Sequence, residues 1–172
     1  MLMPPEVRIL PMDSKKEFPC PWTVEKLQND FFLGDLADDG VYMYQKRGMV
    51  ADPGSIVLFQ FHSRIVAYGE LEDTEPYDRP YLHANGLIYF GEFRFRVPTI
   101  SVFTPIDADE MQAIWGRASN RYKQFKKFSQ AKQSLDPQRY PRFLRRSRHV
   151  RRPARVPVES GPANGSVCAK DK

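Results

Sequence analysis

Cysteine is nearly absent. The 172-residue chain has only Cys20 and Cys168, which are too far apart in sequence to suggest a disulfide framework or a CxxC metal half-site. Reduced thiols and a cytoplasmic setting are therefore expected. Cys20 lies between two prolines and carries no sign of an activated thiol. No P-loop, GxSxG, HExxH or Cys/His zinc spacing occurs, so no cofactor or metal is expected. No apolar run approaches the roughly 18 residues of a bilayer span, so no membrane partner is expected either. The opening MLMPPEVRILPMDSKK lacks the apolar stretch of a signal peptide. Acidic side chains are scarcest in one long stretch. Residues 115–155 hold 14 Lys and Arg against a single acid, Asp136, for a net charge of +13. Residues 1–114 are the reverse, with 10 basic against 18 acidic residues and a net charge of −8. The overall +5 is thus an acidic body joined to a basic C-terminal segment.

An aromatic content of 13% argues against disorder and for a single packed domain. Residues 1–20 are Pro-rich and read as irregular. PWTVEKLQNDFF reads as a short helix with Thr23 as N-cap, and LGDLADDG as a turn. VYMYQKRG alternates like a strand. SIVLFQF, a break at His62-Ser63-Arg64, and IVAYGELED read as a β-hairpin, its first strand apolar on both faces. Residues 73–84 read as a Pro-rich loop, followed by an Asn85-Gly86 turn. LIYFGEFRFRV is a long strand in which Gly91 marks a bulge or bend, and PTISVF is a further strand. Asp107 and Glu110 form a capping box for a helix in which Met111, Ile114, Trp115, Ala118, Tyr122, Phe125 and Phe128 repeat at three or four residues, with Gly116 as a weak point that splits it in two and Asp136-Pro137 as its end. RYPRFLRRSRHVRRPAR has eight Arg in 17 residues, with Tyr140 and Phe143 interleaved. The expected fold is α+β, a small curved or partly closed barrel of about five strands with flanking helices. The expected layout is an N-terminal segment (1–20), a domain (21–138), an Arg-rich segment (139–155) and a disordered tail (156–172).

The hairpin PGSIVLFQFHSRIVAYGEL resembles the signature of PUA-like barrels of the EVE, ASCH and YTH group. Pro53-Gly54-Ser55 stands for the turn and Phe61-His62-Ser63 for the aromatic-His-Ser step. Residues 65–71 stand for the return strand. GLIYFGEFRFRVPTI resembles a later strand of such domains. Where EVE domains open with a Trp-containing strand, this chain has Trp22 in a helix-like context. The resemblance implies a PUA-like fold and nucleic-acid recognition, with a modified base held in an aromatic pocket. It also implies a nuclease or ATPase partner, as in modification-dependent restriction systems.

Reading an extruded base requires ring faces, polar donors and a cationic track. The ring candidates are Trp22, Tyr42, Tyr44, Tyr68, Tyr77 and Tyr81, and the donor candidates are His62 and Ser63. The same Tyr and Trp residues are also ordinary core material, and His62-Ser63 an ordinary turn. The phosphate candidates are Arg64, Arg94, Arg96, Arg121, Lys123, Arg142, Arg145 and Arg146. Arginine suits this role because it binds phosphate bidentately and stacks on bases. DNA is favoured over RNA as partner. Three other readings stand beside this one: an RNA-binding module of the same fold, a protein-interaction adaptor, and a Mg-dependent nuclease built on Glu70, Asp73 and Glu92. The nuclease reading is weakened because Arg94 occupies the position where a strand motif has Lys.

Overall fold

A computed structural model describes residues 5–45, 49–115 and 134–149. It is α+β, a single mixed sheet with helices on both faces. The strands are β1 (Val7–Pro11), β2 (Val41–Tyr44), β3 (Ile56–Phe61), β4 (Arg64–Leu82), β5 (Ile88–Phe95), β6 (Ser101–Ile106) and β7 (Ser134–Leu135). Their order is β2-β5-β4-β3-β1-β7, with β6 paired on β4. The sheet is open rather than closed into a barrel, and it holds seven strands rather than about five.

The central strand β3 is buried along its whole length. Val57, Phe59 and Phe61 enter one core cluster, and Ile56 and Leu58 the other. This is why the strand reads as apolar on both faces. Residues 7–11, expected to be irregular, form β1 and run parallel to β3. Val7 and Ile9 join the second cluster and Leu10 the first.

The first face is covered by α1 (Val24–Lys26), a π-helical stretch (Leu27–Asp35) and α2 (Leu36–Asp39). Thr23 caps this run by accepting from the Lys26 amide at 3.1 Å. The helix continues through the segment expected to be a turn, and Gly40 closes it in the left-handed region at φ +74°. The wide π turn drives Gln28 into the sheet. Its amide donates to the carbonyls of Val66 (2.8 Å) and Phe103 (2.6 Å). The β4–β6 register shifts between Ile65 and Ala67, and Gln28 bonds the carbonyls beside that break.

The second face is covered by α3 (Ala108–Trp115) and α4 (Tyr140–His149). The Asp107–Glu110 capping box forms as expected, with the Glu110 amide donating to Asp107 Oδ1 at 2.9 Å. Asp136 caps the 3₁₀ turn Pro137–Arg139 that leads into α4 by accepting from the Gln138 amide, and its carbonyl accepts from Trp115 Nε1 at 2.8 Å. Phe143 is fully buried, and its truncation to Ala is expected to destabilise by about 3–5 kcal/mol. The part of the Arg-rich segment within the described residues is therefore a docked helix.

β4 and β5 continue beyond the helices as a long hairpin arm. β4 runs through the segment expected to be a loop, ending at Leu82 before the Asn85-Gly86 turn, where Gly86 has φ +80°. A bulge lies between Pro76 and Tyr81, opposite Gly91 and Tyr89. Beyond Leu71 the other edge of β4 has no strand beside it among the described residues.

Candidate nucleic-acid interface

The hairpin tip forms as a two-residue turn. His62 and Ser63 both have positive φ, 48° and 59°, although neither is the Asn or Gly that such turns favour. His62, Ser63 and Arg64 are all exposed. The His62 ring packs at 4.1 Å from Phe61, and Arg64 makes no ion pair among the described residues.

The ring candidates are not gathered beside this tip. Tyr42 is buried in the first cluster, stacked with Phe93 at 6.5 Å because β2 pairs Tyr42 opposite Phe93. Tyr44 packs at 4.8 Å from Phe93 and lies over Gly91. Trp22 packs edge-on against Phe18 at 5.3 Å, with the Lys26 ammonium 5.0 Å from its ring centre. Tyr68 is on the opposite face of the sheet, against Phe103, Tyr140 and Phe143. Tyr77 and Tyr81 are on the arm, 6.5 Å apart. Only Tyr81 among these rings is widely exposed. The Tyr77 hydroxyl donates to Glu92 at 2.7 Å. Burial first, then this bond and nearby carboxylates, push its pKa up to about 12.

The arginines divide into paired and unpaired groups. Arg94 lies between Glu92 (2.6 Å) and Glu75 (2.9 Å), and those two carboxylates raise its pKa further. Arg96 pairs with Glu70 at 3.3 Å. Arg146 is a strut, donating to Glu110 from Nε at 2.8 Å and from Nη2 at 2.5 Å. Arg142, Arg145 and Arg148 are exposed on α4 and make no ion pair among the described residues. They recur every three residues, so they share one side of the helix over about 9 Å. The buried side of that helix carries Tyr140, Phe143 and Ser147. Burial raises the Tyr140 pKa. Arg121 and Lys123 lie outside the described residues.

One polar group was not legible in the sequence. Tyr42 donates its hydroxyl to Glu17 Oε2 at 2.9 Å. Burial raises the Glu17 carboxyl to about 7, against the lowering effect of that bond. Burial and the adjacent carboxylate push Tyr42 well up. On the arm, Asn85 donates to the Tyr89 hydroxyl at 3.0 Å, and His83 meets the Tyr89 ring edge-on at 5.8 Å. No sequence motif links Glu17 to Tyr42, which lie 25 positions apart.

Among the described residues no three His, Cys, Asp or Glu side chains converge as a metal site, and no helix is long and apolar enough to cross a membrane. Cys20 is disulfide-bonded, not the reduced thiol expected. Comparison with protein-family models and with curated proteins finds no match.

Proposed function

We infer that the chain is a nucleic-acid-binding module that grips the phosphate backbone through the outward face of α4. The observation that carries this reading is the row Arg142, Arg145 and Arg148, exposed and without an ion pair among the described residues, on a helix whose other side is anchored in the core. An anchored helix presents its guanidinium groups at fixed positions, so less entropy is lost on contact than with a free tail. Three of the other arginines suggested by the sequence serve the protein differently. Arg94, Arg96 and Arg146 are neutralised by carboxylates and are poor phosphate ligands in this state. Arg64 at the hairpin tip remains available as an additional contact.

Base selection is assigned to the His62-Ser63 tip on the strength of the PUA-like hairpin resemblance. Their strained turn supports this assignment, because Asn-Gly would form the same turn with less strain. On the same resemblance, DNA carrying a modified base is the favoured ligand, RNA the runner-up, and a nuclease or ATPase the partner.

The test is a panel of fluorescent duplexes, methylated and unmodified, together with single-stranded RNA, titrated at low salt. Tighter binding to methylated DNA that is lost in His62→Asn/Ser63→Gly supports the full reading. Equal affinity across the panel would remove the modified-base part and leave a phosphate binder.

A further inference from the structure

Among the described residues, most of the large apolar side chains that stand exposed are on the β4–β5 arm: Tyr81, Leu82, Ile88 and Phe90. The register sets Leu82 opposite Ile88, and Phe90 follows on the same side of β5. Farther along this face Asp73 lies opposite Arg94, and Glu75 opposite Glu92. Three carboxylates thus share this face with one guanidinium, which Glu75 and Glu92 already hold. The result is an apolar surface with a net negative border, which repels a polyanion.

The arm does, however, suit arginine. Guanidinium groups pair with carboxylates and stack on exposed rings, and they lose little hydration in doing so. The same chain presents three arginines on α4 that have no carboxylate partner among the described residues. No ion pair joins that helix to the arm among the described residues of one chain.

We propose that the arm of one copy docks on the arginine face of α4 in a second copy, so that the protein self-associates through unlike surfaces. Asp73 and the exposed Glu75 meet the guanidinium groups, and Phe90 and Ile88 cover their stems. If both contacts form at once, the assembly closes as a two-fold pair.

The test is sedimentation velocity of the full chain without nucleic acid, which separates this proposal from the nucleic-acid reading. The association is expected at about 50 mM salt and lost at about 500 mM, as screening removes the charge contacts. Two variants are each expected to be monomeric, Asp73→Lys/Glu75→Lys and Arg142→Glu/Arg145→Glu/Arg148→Glu. All five sites are exposed, and circular dichroism checks that both variants fold. Mixing the two variants restores a one-to-one complex, because each supplies the surface that the other has reversed. Phe90→Ser/Ile88→Ser weakens the association at least about tenfold while leaving α4 intact. A wild-type chain that is monomeric at about 100 µM and low salt overturns the proposal. So does a helix variant that associates like wild type, or a mixture that stays monomeric.

Discussion

Replacing Glu17 with glutamine should remove one pH dependence of stability. The carboxyl lies beside the aromatic cluster of Phe18, Phe31 and Tyr42, with the Tyr42 hydroxyl 2.9 Å away. Its pKa rises from 4.5 to about 7 on folding. The folded state therefore binds more protons than the unfolded state between these values, and stability must fall as pH rises from 4.5 to about 7. Below that window both states are protonated and nothing is lost; above it the loss is complete and constant. A full shift of this size corresponds to about 3 kcal/mol. Glu17 keeps some exposure to water, so a loss of about 1–2 kcal/mol is the working figure. The amide that replaces the carboxyl can still accept from Tyr42 and carries no charge. Urea midpoints of the two proteins should agree near pH 4 and then diverge, with Glu17→Gln the more stable near pH 8. A constant difference across that range would refute the burial argument.

Further outcomes follow from other parts of the fold. Gln28→Leu leaves the carbonyls of Val66 and Phe103 without their donor and is expected to destabilise by about 2–4 kcal/mol in urea unfolding. His62→Asn with Ser63→Gly suits the positive φ angles and should raise stability by about 1–2 kcal/mol, read from the thermal midpoint. Gly91→Ala places a methyl 2.6 Å from the Glu75 carbonyl oxygen and against Tyr44, so a loss of about 1–3 kcal/mol is expected from urea midpoints.

Local signals in the sequence locate their elements well. The hairpin at 56–71, the Asn85-Gly86 turn and the Asp107–Glu110 box each form where short-range chemistry puts them. Gly91 does not mark a bulge in its own strand: the register break lies in β4 between Pro76 and Tyr81, and Gly91 instead leaves room for Tyr44 and the Glu75 carbonyl. Elements that depend on distant partners are hidden. VRILP looks irregular among prolines, yet β3 pairs with it along its whole length. Pro76 and Pro80 suggest a loop, but β4 tolerates them because its far edge carries no ladder among the described residues. The turn expected at 33–40 is helical because Leu36 packs into the first cluster.

The candidate site is legible only in part, for the same reason. Tyr42 and Tyr44 show ring chemistry in the sequence, but the pairing of β2 with β5 decides that they face Phe93. Eight arginines within 17 residues look alike in sequence. The helical phase of α4 separates Arg146, bound to Glu110, from Arg142, Arg145 and Arg148, which stand free of carboxylates among the described residues. Tyr140 and Phe143, interleaved with those arginines, are core residues, not base-stacking ones.

The most direct measurement is the salt dependence of duplex DNA binding by fluorescence anisotropy, for the wild type and for Arg142→Gln/Arg145→Gln/Arg148→Gln. Each phosphate contact contributes a slope of about 0.9 in log K against log salt for B-form DNA. Losing three contacts should flatten the slope by about 2.7, a difference of about 1.6 decades in affinity between about 50 and 200 mM salt. Wild-type binding with that flattening is the expected result. An unchanged slope in the variant, or no wild-type binding at low salt, would contradict the claim that α4 grips the phosphate backbone.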